Sequence, residues 1–132
     1  MSGGRLVVVG DALLDRDIDG RAERLCPEAP VPVVSGPRSR ERPGGAALAA
    51  ALLARDGHDV ALVTALAGDE GGAVLGRLLA ERGVQVIDLG GGGTTPEKIR
   101  VRADGQVVVR VDREGAPPAV RPPGDAAVAA LR

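Results

Sequence analysis

Arg42-Pro43-Gly44-Gly45-Ala46-Ala47 separates a polar segment from a run rich in alanine and leucine. Proline fixes φ and disfavours helix before it. Glycine lets backbone approach a ligand with no Cβ between them. The following run predicts a helix over residues 46–55, with Leu48, Leu52 and Leu53 on one face and Gly57 as its C-terminal stop. A helix that opens after Gly-Gly offers free N–H groups and the positive end of its dipole. A hydroxyl-rich or anionic small molecule is expected there. The same glycines suit a plain loop-to-helix turn, so the flanking sequence has to decide between the two readings.

Upstream, Leu6-Val7-Val8-Val9 is a continuous apolar run that ends in Gly10-Asp11. Runs without alternation fit strands covered on both faces, as in a parallel sheet. Ligands of open α/β sheets bind outside the carboxyl ends of strands. Asp11 and Asp15 are therefore candidate site residues, with a turn or cap role the other reading for Asp11. Residues 17–24 are polar, with Ile18-Asp19-Gly20 a short strand and turn. Pro27, Pro30 and Pro32 exclude a helix interior or a central strand over 26–34 and fit an extended segment at a sheet edge. Residues 35–41 read as a polar connector.

Downstream, residues 60–66 and 84–89 read as buried strands, and 73–82 as a helix that follows a turn at Gly68-Asp69-Glu70-Gly71-Gly72. The β-α-β-α-β order argues for an α/β sheet with right-handed crossovers. Gly90 to Gly93 form a loop without the Gly-Lys-Ser/Thr of a nucleotide-binding loop. Residues 98–102 and 106–112 flank Asp104-Gly105 as a β-hairpin. Its polar face carries Lys98, Arg100, Arg102, Arg110 and Asp112, a set that suits either phosphate or solvent. From Glu114 the chain turns linker-like. Asp125 is placed to cap a short helix that 132 residues leave cut in mid-element.

Composition narrows the function. A net charge of −1 gives no electrostatic case for nucleic acid or an anionic membrane. The chain has no Phe, Tyr or Trp, so it has no base-stacking platform. Lone Cys26 and lone His58 form neither a disulfide nor an expected metal or nucleophilic pair. There is no signal-peptide pattern and no apolar run of membrane-spanning length, and a cytoplasmic location is expected.

Several segments together resemble the ribokinase-like (PfkB) sugar kinases. Val9-Gly10-Asp11-Ala12-Leu13-Leu14-Asp15-Arg16 resembles their opening strand. Arg24 through Val33, with Cys26-Pro27-Glu28-Ala29-Pro30-Val31-Pro32, resembles the heptose 7-phosphate kinase branch of ADP-heptose synthesis. Glu41-Arg42-Pro43-Gly44-Gly45-Ala46-Ala47, Gly68-Asp69-Glu70 and the span from Thr95 to Asp112 continue the match. The resemblance implies a Rossmann-type sheet over residues 1–114 with a small β lid, often shared in a dimer, and a linker with the start of a helix over 115–132. It implies transfer of the ATP γ-phosphoryl, with Mg2+, to the 1-hydroxyl of a sugar phosphate such as heptose 7-phosphate. Asp15, Gly44 and Gly45 would hold sugar hydroxyls. Lys98 and Arg100 would lie near the sugar or its phosphate, and Asp11, Arg110 and Asp112 are further candidates. The chain departs from the family in two ways. Leu48 stands where the family usually has Asn, and the family's nucleotide site and catalytic Asp belong to a part beyond these residues. No catalytic residue and no metal ligand is therefore expected in this chain. ATP and Mg2+ are not expected to bind it well, and it is expected to be inactive alone. The competing reading is a non-catalytic sugar-binding or dimerisation module.

Overall fold

A computed structural model describes residues 3–132. Three apolar runs form one parallel sheet: β1 (Leu6–Val9), β4 (Val60–Thr64) and β5 (Val84–Asp88), in the order β1-β4-β5. All five residues of β4 are buried, which explains why its sequence shows no alternation. Val60 and Leu62 pack with Leu14, Leu75 and Leu79 in the larger core cluster. Ala61 and Val63 point the other way and meet Ile87 and Ala127. Ala127 belongs to α3 (Asp125–Ala130), so this short helix is docked on the sheet. Gly124, not Asp125, is its N-cap. The strands end earlier than expected, at Thr64 and Asp88. There the Asp88 carboxylate accepts from Leu66 N at 2.9 Å and Gly90 N at 2.8 Å.

The second sheet has the order β3-β2-β6-β7, with β2 (Ala12–Leu25), β3 (Pro32–Gly45), β6 (Glu97–Ala103) and β7 (Gln106–Arg113). β2 runs antiparallel to β3 and parallel to β6. Both β2 and β3 have 14 residues, where the sequence suggested a short strand at 18–20 and a connector at 35–41. The cause is chemical. The pleat of β2 places Asp15, Asp17 and Asp19 on one face, and charged partners there replace the apolar residues that would announce a strand. The edge position inferred from the prolines holds for β3, which carries Pro32, Pro37 and Pro43 without cost to a central ladder. The hairpin turn lies where expected. Asp104 and Gly105 have φ of 52° and 82°, the two positive values of a type I′ turn.

The helices differ from expectation in their faces and starts. α1 (Ala46–Arg55) buries Ala47, Ala50 and Ala51, whereas Leu48 and Leu52 are 39% and 40% exposed. The run is apolar all round, so periodicity cannot select a face, and small residues allow the closer approach to the sheet. α2 (Glu70–Glu81) starts three residues before the expected 73. Its early glycines are packing positions. A Cβ on Gly72 would strike the carbonyl of Ala67, and one on Gly71 would lie 2.8 Å from Thr95 Cβ. Residues 115–121, linker-like in sequence, bond along the glycine run: Ala116 O accepts from Thr94 N at 2.9 Å, Ala119 N donates to Gly91 O at 2.9 Å and Arg121 N to Leu89 O at 2.7 Å.

Two glycines of α2 thus call for opposite outcomes. Gly72→Ala should destabilise by roughly 1–3 kcal/mol through the forced backbone shift. Gly76→Ala, whose Cβ would meet nothing within 4 Å, should stabilise by about 0.5–1 kcal/mol. Thermal melts followed by far-UV circular dichroism compare the two directly, and equal effects would refute the packing assignment.

Candidate functional site

The register of the second sheet builds a charged face. Each of the three β2 aspartates sits between two cations: Asp15 between Arg42 and Lys98, Asp17 between Arg40 and Arg100, Asp19 between Arg38 and Arg102. β7 adds Asp112 opposite Lys98 and Arg110 opposite Arg100. Seven cations therefore face four carboxylates, leaving three positive charges in excess. Asp15 and Asp17 are buried, 9% and 6% exposed, and burying a carboxylate requires a partner. Arg100 Nη1 donates to Asp15 Oδ1 at 3.0 Å, and Arg42 Nε donates to Asp17 Oδ2 at 2.8 Å. Arg110 and Asp112 pair with each other at 2.8 Å. Lys98 enters no ion pair among the described residues. It borders a hollow of about 300 Å³ with Leu13 and Asp112.

The two glycines close the site on the β3 side. A Cβ on Gly44 would lie 2.6 Å from Asp15 Oδ2, and one on Gly45 2.7 Å from the Asp11 carbonyl. Gly45 has φ +61° and is the N-cap of α1, with no side chain capping the helix. Ala46 N donates to Asp11 O at 2.9 Å. The strands accordingly bring Asp15, Gly44, Lys98 and Arg100 together, with Gly45 at the adjoining helix start and Arg110 and Asp112 further out. Asp11 is not brought to this face. Its residue lines a separate cavity of about 260 Å³ beside Thr95 and Pro96. Asp17, Arg40 and Arg42 went unremarked as site candidates. The signal for them was present as period-2 spacing of Asp at 15, 17 and 19 and of Arg at 38, 40 and 42.

The opposite face of the sheet borders a larger cleft of about 670 Å³ against α2. Its two cations are tied to carboxylates: Arg16 lies 3.4 Å from Glu41 and 3.2 Å from Glu97, and Arg113 lies 3.5 Å from Glu97. Asp69 and Glu70 leave the lining acidic on balance. At its margin Asp69 ties α2 to the start of β6. Burial pushes the Asp69 carboxyl up. Hydrogen bonds from Thr95 Oγ1 at 2.5 Å, Thr95 N at 2.7 Å and Gly72 N at 2.9 Å outweigh this and hold it below the ordinary value of 3.8.

Comparison with known proteins decides the family. No family model matches the chain. The bifunctional protein HldE of Streptomyces coelicolor is 56% identical over 110 residues, 83% of this chain and 24% of that protein. The D-beta-D-heptose 7-phosphate kinase of Bordetella bronchiseptica is 42% identical over 115 residues, 86% of this chain and 36% of that protein. Among solved structures, a carbohydrate kinase from Agrobacterium tumefaciens superposes with a TM-score of 0.67 at 25% identity, over 83% of this chain and 35% of that one. The chain belongs to the ribokinase-like carbohydrate kinase family. It spans about a quarter of the length of the HldE protein and about a third of the Bordetella kinase. The fold likeness extends to a ribokinase from Cryptococcus neoformans var. grubii in complex with ADP, with a TM-score of 0.62 at 24% identity over 88% of this chain. The α/β architecture expected from sequence is the one observed, with the ribokinase-like parallel sheet and the second sheet as its β lid. Within this kinase fold, Gly68-Asp69 is a structural device that caps α2 and anchors the lid.

Asp69→Ala should lower stability by about 1–2 kcal/mol at neutral pH, a fall in Tm of roughly 3–8 °C. The folded-state pKa is depressed, so the carboxylate contributes fully above the ordinary value of 3.8 and loses its contribution as pH falls through the lower folded value. Melts of both proteins from pH 7 to 3 should show a constant gap that narrows only below about pH 4. A gap that widens with acidification would contradict the assignment.

Proposed function

We propose that this chain is the sugar-binding part of a carbohydrate kinase whose substrate is a sugar phosphate, heptose 7-phosphate phosphorylated at the 1-hydroxyl. The observation that carries this reading is the Asp15 carboxylate. It is lodged against Gly44, held by Arg100, and set in a face with three surplus positive charges. A fixed carboxylate accepts hydrogen bonds from sugar hydroxyls, and Gly44 lets β3 pack directly against it. Lys98, which enters no ion pair among the described residues, suits the existing phosphate. The Bordetella relative, a D-beta-D-heptose 7-phosphate kinase, supports the heptose substrate.

In this reading ATP and Mg2+ belong to the remainder of such a kinase. They would supply the phosphoryl group and neutralise its charge, while Asp15, Gly44, Gly45, Lys98 and Arg100 bind and orient the acceptor. The chain divides functionally at residue 114, works in the cytoplasm, and transfers no phosphate alone. No helix among the described residues is long and apolar enough to cross a membrane.

Calorimetry tests the substrate. Heptose 7-phosphate should bind at least tenfold tighter than unphosphorylated heptose. Lys98→Ala should remove most of that preference, since a charged hydrogen bond contributes about 1.5–3 kcal/mol. Asp15→Asn should weaken both sugars alike. Equal affinity for the two sugars, with the fold verified by circular dichroism, would defeat the reading.

A second reading rests on β7. This edge strand leaves Val107, Val108, Val109 and Val111 between 42% and 48% exposed, an unpaired apolar edge suited to pairing with another copy. It makes the chain a module that dimerises through the lid. Sedimentation velocity should then show a dimer that Val109→Lys converts to monomer. A monomer at all concentrations would eliminate it.

A further inference from the structure

We propose that the groove along the outer edge of β3 is a second binding site, for a phosphomonoester that carries an apolar body. The inference does not rest on the kinase reading. The groove holds about 430 Å³ and is lined by Arg40, Arg42, Arg55 and Arg82, with no carboxylate among the lining residues. Four guanidiniums around one hollow repel one another unless an anion joins them. Two of them are already fixed. Arg42 is held through Nε by Asp17 at 2.8 Å, and Arg82 donates through Nη1 to the Leu78 carbonyl at 3.0 Å. The Arg42 fork keeps both Nη groups for a ligand. Arg40 enters no ion pair among the described residues, and Arg55 meets only Asp56, at 3.7 Å on the exposed surface, an interaction worth little in water.

Planar guanidiniums match phosphate oxygens bidentately, and ordering prefixed side chains costs less than ordering free ones. The ligand's second property follows from α1. That helix turns its alanines to the core and leaves Leu48 and Leu52 about two-fifths exposed on this groove. A simple inorganic anion would leave that wall in water. A phosphate attached to an apolar body would cover it.

The probe is hexyl phosphate, titrated into the 132-residue chain by calorimetry and by 1H–15N NMR, beside inorganic phosphate, hexanol and vesicles containing phosphatidate. Hexyl phosphate should bind at least tenfold tighter than inorganic phosphate and shift the Ala51 and Leu52 amides. The double variant Arg40→Ala/Arg55→Ala should lose at least tenfold. Leu52→Ser should bring hexyl phosphate down to the level of inorganic phosphate. The NMR shifts locate the site without any variant, so a misfolded variant does not shelter the proposal. Hexyl phosphate no better than inorganic phosphate, undiminished binding by the double variant, shifts elsewhere, or binding to vesicles alone would each overturn it.

Discussion

Two carboxylates inside the lid, Asp15 and Asp17, are the constraint on which the rest depends. Each is more than nine-tenths buried, and an isolated carboxylate in such a place would be expelled or protonated. Guanidiniums from both neighbouring strands prevent that: Arg42 from β3, and Arg100 and Arg102 from β6. The ion pairs thereby fasten β2 to its hairpin partner β3 and to β6, which lies far along the chain. On the other face, apolar packing of Leu14 and Ile99 is joined by a second set of cross-strand pairs, Arg16 with Glu41 and Glu97.

This arrangement has a direct consequence for binding. Removing one member of a buried pair leaves a charge without compensation, so the carboxylates are rigid in position before any ligand arrives. In the proposed reading, preorganisation of this kind makes Asp15 a recognition element for sugar hydroxyls. Gly44 completes the effect by letting the strand come within a methyl group of Asp15. The parallel sheet contributes by fixing β1, from which the chain crosses directly into β2, and by seating α1 so that its uncapped start borders the same face.

The sequence was informative where one physical effect dominated. The apolar runs of β1, β4 and β5 have no alternative to burial, and Asp104-Gly105 has few alternatives to a tight turn. It was misleading where two effects opposed each other. Charged alternation in β2 and β3 resembled solvated loop because pairing, not burial of carbon, stabilises those strands. Alanine-rich α1 carried no directional signal, so its buried side, Ala47, Ala50 and Ala51 with Leu53 packed beside them, needed the structure. Gly71 and Gly72 read as a turn because glycine marks both turns and close contacts. Of the candidate site, Asp15, Gly44, Lys98 and Arg100 were named from a family pattern, whereas Asp17, Arg40 and Arg42 needed the strand register. Asp11 was placed by its position after β1, and the chain turns it away before it reaches the face.

The central claim is that the charged lid face around Asp15 is the sugar-phosphate site. A 1H–15N NMR titration of the chain with heptose 7-phosphate tests it most directly. The account predicts that the largest shifts fall on the amides of Asp15, Gly44, Gly45, Lys98 and Arg100. Largest shifts in the cleft on the other side of the lid, around Asp69, Thr95 and Glu97, would contradict it.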